Sequence, residues 1–126
     1  CTKCIDACPT QAILPNKTIE ANHCISYYTI ELKKQQIETA SDRSYQDWAF
    51  GCDICQDVCP WNRFSTPHQE PGFSPSSELE SFTSQDWREL TEETFKRVFA
   101  GSAVNRTKYK GIKRNVDFLS IERPLD

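Results

Sequence analysis

CTKCIDACPTQAI (residues 1–13) and FGCDICQDVCPWN (residues 50–62) are the two stretches on which the reading of this chain turns. The first sets Cys1, Cys4 and Cys8 ahead of Pro9, and the second sets Cys52, Cys55 and Cys59 ahead of Pro60, so the spacing C-x-x-C-x-x-x-C-P occurs twice. A further cysteine, Cys24, stands alone between them, and none follows Cys59. The total of seven is odd, and no secretory segment supplies an oxidising context. A closed disulfide framework is therefore disfavoured, and metal or redox chemistry is favoured. Two cysteines separated by two residues can turn their thiolates onto one centre. The proline after the third fixes φ, lacks a donor and redirects the chain.

Both strings match the C-terminal part of the bacterial ferredoxin run C-x-x-C-x-x-C-x-x-x-C-P, in which the last cysteine ligates the other cluster. By that crossing rule Cys8, Cys24, Cys52 and Cys55 form one complete 4Fe-4S site. Cys1, Cys4 and Cys59 supply three ligands of a second, whose fourth the pattern places three residues before Cys1. Because the chain opens inside this motif and contains no Met, it is expected to be a fragment that continues upstream. Paired C-x-x-C groups also build zinc ribbons, but these do not need the repeated Cys-Pro ending. A thioredoxin-type C-x-x-C would stand as a single motif in a βαβ setting.

Around these motifs the pattern is helical. In CISYYTIELKK (24–34), Ile25, Tyr28, Thr29 and Leu32 recur at helical spacing, which predicts a helix starting at Cys24 with that ligand near its positive end. His23 reads as a surface or capping residue. Residues 35–47 are polar and turn-rich and read as a loop. Trp48, Phe50 and Trp61 flank the second motif and are expected to pack around the clusters and exclude water. Residues 65–77 carry three Pro and four Ser and read as linker, with His68 lacking the spaced partners of a metal ligand.

From Ser84 onward, Ser84 and Thr91 are expected N-caps, and Trp87, Leu90, Phe95, Val98 and Phe99 are expected apolar contacts. After a break at Gly101 and Ser102, a last helix of about 106–120 is expected. Tyr109, Ile112, Val116 and Leu119 would share its buried face, with Arg106, Lys110, Lys113 and Arg114 on a basic one. The net charge of −3 conceals this asymmetry, since residues 96–114 hold seven basic side chains and no acidic one. The expected fold is α+β and mostly helical. It comprises a two-cluster bacterial ferredoxin-like module (1–64), a linker or extended segment (65–83) and a small α-helical segment (84–126). No apolar run approaches the roughly 18 residues of a membrane span, so no membrane partner and a cytoplasmic location are expected.

With CIDACPTQAI, CISYYTIELK, FGCDICQDVCPWNRF and GSAVNRTKYKGIKRN in this order, the sequence resembles the C-terminal part of the epoxyqueuosine reductase family. Cobalamin-dependent reductive dehalogenases share the ferredoxin-like part and give the alternative, a generic two-cluster electron-transfer module. The resemblance implies an oxidoreductase carrying two 4Fe-4S clusters and cobalamin, which reduces epoxyqueuosine to queuosine at the tRNA wobble position. It implies no catalytic acid in this chain, because that group and most of the corrin site belong to an upstream domain. It places Ser26 and the stretch Cys52, Asp53, Ile54 and Cys55 near cobalamin, and Lys33 near the tRNA, to which Arg106, Lys110, Lys113 and Arg114 would add. The partners so implied are a tRNA with a queuosine-type wobble base and an unidentified electron donor, the protein acting as a monomer. Ending at ERPLD, the chain is expected to be a short form with a reduced tRNA surface.

Overall fold

The computed structural model describes residues 1–33 and 45–122, with side chains as far as Leu119. The expected loop up to residue 44 and the chain end from 123 lie outside the described residues. Helices α1 (Lys3–Ala7) and α2 (Ile54–Asp57) carry the cysteine motifs. They are followed by α3 (Ser77–Glu80), α4 (Ser84–Arg88), α5 (Glu92–Val98) and α6 (Lys108–Glu122), with short 3-10 turns between. The architecture is mostly helical, and among the described residues its β component is one antiparallel bridge between Ile13 and Ile19. That bridge closes a small hairpin in which the Leu14 N–H donates to the Thr18 carbonyl at 2.9 Å.

α6 is the spine. It starts later than the 106 expected, because Arg106 ends a separate 3-10 turn (Ala103–Arg106) and Lys108 takes φ +62°, which interrupts helical continuity. Ile112 and Val116 from α6 enter one core with Leu90, Phe95 and Phe99. Phe118 and Leu119 turn to a second core built on Ile25 and Tyr45. Its apolar surface thus serves two cores, since one helix has room for two stripes when it is sandwiched. Tyr45, placed in a loop by its polar neighbours, is 2% exposed and lies 4.8 Å ring to ring from Phe118. Burying such a ring contributes about 1.5–3 kcal/mol, enough to override local turn composition.

Helix ends follow capping chemistry. Thr83, one residue before the expected Ser84, caps α4: its hydroxyl accepts from the Asp86 N–H at 3.3 Å while its own N–H donates to the Asp86 carboxylate at 2.7 Å. Thr91 caps α5 by accepting from the Thr94 N–H at 3.2 Å. Within the stretch read as linker, Ser76 caps α3, and Leu79 and Phe82 pack against the first core. Leu79 sits only where α3 forms, and a Glu78–Arg97 pair at 2.5 Å ties that helix to α5.

Candidate metal centre

The two cysteine strings repeat in conformation as well as in spacing. Cys4 lies on α1 and Cys55 on α2, and the preceding residues Thr2 (φ −123°, ψ 6°) and Asp53 (φ −110°, ψ 7°) take nearly the same backbone geometry. The Thr2 carbonyl accepts from Ile5 and Asp6, as the Asp53 carbonyl does from Gln56 and Asp57. Cys8 and Cys59 are both extended, at ψ 111° and 122°, because the proline that follows each excludes the helical region. α1 and α2 pack on each other, so the strings face one another.

Cys24 is likewise extended, with φ −78° and ψ 127°, and ends a 3-10 turn (Ala21–His23). The helix expected to start there is a π-helical turn over Tyr27–Glu31, with Ser26 before it and the Cys24 carbonyl accepting from Tyr28 at 3.2 Å. No disulfide joins any of the seven cysteines. Burial pushes the Cys52 thiol up, and the nearby charges of Cys24, Cys55 and Cys8 push it further. Burial also raises Cys55, aided by Cys24, Cys8 and Cys4. Sulfurs from both strings and from Cys24 therefore share one electrostatic neighbourhood.

Cys8 differs. Burial opposes its thiolate, but the Thr10 hydroxyl at 3.6 Å and backbone donors led by the Ala12 N–H at 3.3 Å bring the thiol below its usual value. Hydrogen bonds to sulfur of this kind tune a cluster's potential. Thr10 was not singled out by sequence reasoning; its signal was a hydroxyl just past a Cys-Pro. Cys1 is exposed, whereas Cys4 and Cys59 are half-buried.

The donor set fits an iron-sulfur cluster. Crowded thiolates repel one another, and a positively charged iron core held by four sulfurs offsets that repulsion. Among the described residues, no group of three or more His, Cys, Asp or Glu side chains is arranged to hold a single metal ion.

The flanking aromatics divide. Trp48 and Phe50 pack into the cores, but Trp61 is 76% exposed, with its ring 5.7 Å from that of Phe64. The 3-10 turn Pro60–Phe64 carries both rings outward. His23 stands 3.8 Å from Glu20, and exposed His68 sits edge-on to the Phe73 ring. Ser26 lies beside the second string, since its carbonyl and that of Gly51 are each 3.4 Å from the Thr29 hydroxyl. Asp53 is exposed, and Cys52, Ile54 and Cys55 are half-buried.

A groove of about 840 Å³ between the π-turn and α6 is lined by Glu31, Lys33, Arg106, Lys108, Lys110 and Lys113 among others. Arg106 pairs with Glu31 at 2.6 Å, and Lys113 with Asp117 at 2.5 Å. Arg114, expected on the basic face, also lines this groove, but its guanidinium turns inward. Its guanidinium donates to the Leu32 carbonyl at 2.7 Å and the Tyr28 carbonyl at 2.9 Å, and burial pulls its pKa down. Lys108, which sequence reasoning did not single out, joins the groove because its left-handed backbone starts α6 there.

Residues 1–62 match the family model described as a 4Fe-4S double cluster binding domain. The chain is 60% identical to an epoxyqueuosine reductase of Cellulophaga algicola over 94% of its own length and 39% of the relative's. It is 52% identical to one from Cyclobacterium marinum, over 97% of this chain and 38% of that protein. A crystal structure of epoxyqueuosine reductase with an epoxyqueuosine-modified tRNA-Tyr stem loop superposes with a TM-score of 0.76 at 28% identity, covering 95% of this chain and 32% of that one. The chain thus spans about two fifths of the curated relatives it matches.

Proposed function

Residues 1–62 belong with the 4Fe-4S double cluster binding domains, in a chain related to epoxyqueuosine reductases along nearly all its length, and from this premise we propose that it is the electron-transfer and tRNA-contacting part of such a reductase. The reaction removes the epoxide oxygen of epoxyqueuosine as water, consuming two electrons and two protons and leaving the carbon–carbon double bond of queuosine at the tRNA wobble position. The observation that carries the reading is the pair of cysteine strings with matching backbone geometry on α1 and α2, which pack on each other.

In this reading Cys8, Cys24, Cys52 and Cys55 hold one cluster, and Cys1, Cys4 and Cys59 contribute to the other. When bound, the clusters supply one-electron storage and cobalamin supplies a reducible cobalt. The chain's own part is to hold the thiolates, to donate hydrogen bonds to the Cys8 sulfur, and to present Ser26 with Cys52, Asp53, Ile54 and Cys55 as one patch toward the corrin. Action in the cytoplasm as a monomer, with a separate electron donor, belongs to the same proposal. Among the described residues no helix is long and apolar enough to cross a membrane.

The tRNA would lie along the basic groove. Among the described residues Lys33, Lys108 and Lys110 line it without an ion pair, and Arg106 and Lys113 add charge that Glu31 and Asp117 partly offset. Three phosphate contacts predict a roughly 40-fold loss of affinity between about 50 and 200 mM salt. The test is titration of the anaerobically reconstituted protein with an epoxyqueuosine-modified anticodon stem loop at both salt concentrations. A loss of that size, reduced to roughly threefold by Lys33→Glu with Lys110→Glu, which leaves one contact, is the expected outcome. Absence of binding, or binding indifferent to salt, would contradict the tRNA part and leave a two-cluster module of the reductive dehalogenase type.

A further inference from the structure

Thr29 is the one polar residue on the apolar stripe of the π-turn, and it is fully buried, at 0% exposure. Its hydroxyl donates to the Ile25 carbonyl at 2.9 Å and accepts from the Gly51 N–H at 3.0 Å. Ile25 follows Cys24 and Gly51 precedes Cys52, so a single oxygen joins the backbone next to one thiol to the backbone next to the other. On the far side, the Thr29 carbonyl accepts from the Asn115 carboxamide at 2.8 Å and from the Thr107 hydroxyl at 3.1 Å. Asn115, 1% exposed, gives its other N–H to the Ala49 carbonyl at 2.8 Å. Both ligand-bearing segments are thereby bonded to the same residue of α6.

Gly51 takes φ +75°, a left-handed conformation that leaves its N–H aimed at Thr29. Such an arrangement costs backbone strain for any residue but glycine. Neither cysteine string contains Thr29, Thr107 or Asn115, and none of these side chains has a role in the chemistry described above.

We propose that Thr29, backed by Asn115 and Thr107, is a positioning residue that sets the separation of Cys24 and Cys52. The inference rests on the reading of those two cysteines as ligands of one 4Fe-4S cluster. Buried polar groups with every partner in place admit one arrangement, and a cluster's potential responds to small changes in sulfur placement and hydrogen bonding. The C-terminal helix accordingly tunes a cluster it does not ligate.

The test compares Thr29→Val, which keeps the shape and removes the hydroxyl, with Thr29→Ser, which keeps the hydroxyl. Each protein is reconstituted anaerobically and read by iron and sulfide content, by EPR of the reduced form, and by the rate of iron release to a chelator. Cys24→Ser identifies which EPR signal belongs to the site. Thr29→Val should alter that signal and its midpoint potential and speed iron release at least threefold, with any second signal unmoved, while Thr29→Ser behaves as wild type. Unchanged signal, potential and release in Thr29→Val would overturn the proposal. Should Thr29→Val not fold, Thr107→Val decides: a smaller change confined to the same signal supports positioning, and no change refutes it. Wild-type protein holding zinc and no sulfide would instead show that the ligand reading has failed.

Discussion

Replacing Arg114 by Met separates two roles that sequence alone assigns to one residue. Met keeps the length of the aliphatic stem and removes the guanidinium. That group donates to the carbonyls of Leu32 at 2.7 Å and Tyr28 at 2.9 Å and to the Asn115 side-chain oxygen at 2.8 Å. Hydrogen bonds from a charged donor contribute about 1.5–3 kcal/mol each, and stranding their acceptors costs about 1–3 kcal/mol apiece. Against this stands the relief of a half-buried cation's desolvation, several kcal/mol. The balance is a destabilisation of about 2–4 kcal/mol, or a fall in Tm of about 10 °C for a chain of this size. Thermal unfolding of the reconstituted protein, followed by far-UV circular dichroism under anaerobic conditions, reads it. Stem-loop affinity at fixed salt should change less than about threefold once the folded fraction is corrected for. Lys110→Glu should behave oppositely, with Tm unmoved and affinity and salt slope reduced by about one phosphate contact. An Arg114→Met protein with wild-type Tm and tenfold weaker RNA binding would refute the inward placement of this side chain.

Gly111→Ala should destabilise by about 1–2 kcal/mol despite the gain of up to about 1 kcal/mol in helix propensity, because the new Cβ would clash with the Thr107 hydroxyl; a raised unfolding midpoint would contradict that close approach. Thr83→Ala removes the cap of α4 and should cost about 1 kcal/mol, measured by urea unfolding. Asp86 is held below its ordinary carboxyl value of 3.8, first by the Thr83 side chain and then by the Thr83 N–H. Its folded pKa is depressed, so its contribution is present above that ordinary value and is lost as the pH falls through the lower one; Asp86→Asn should flatten the acid side of the stability profile. Trp61→Ser should leave stability within about 0.5 kcal/mol and both cluster signals unchanged, in contrast to a ring that shields them.

The cysteine strings were legible because ligand spacing and the proline that follows are local properties, and their twin backbone geometry shows it. The apolar contacts from Trp87 to Phe99 were legible for the same reason, since helical periodicity and threonine caps act within a few residues. Tyr45 was not, because its burial depends on Phe118 and Tyr28, which lie far from it in sequence. Arg114 and Thr29 mislead in opposite ways. A charged residue on a helical wheel reads as solvated, and a threonine on an apolar stripe reads as packing, until distant carbonyls and N–H groups are in place around them. Trp61 sits next to a ligand string yet points outward, a direction set by the 3-10 turn that follows Pro60. Sequence neighbourhood does not fix side-chain direction.

The central claim is that thiolates from both strings are shared across iron-sulfur sites, and an anaerobic count of iron, acid-labile sulfide and zinc with EPR of the reduced protein tests it most directly. Iron and sulfide in equal amounts, at least about four of each per chain, with Cys8→Ser and Cys24→Ser perturbing one signal and Cys59→Ser another, is the predicted result. Zinc without sulfide, or Cys8→Ser grouping with Cys4→Ser instead of Cys24→Ser, would contradict it.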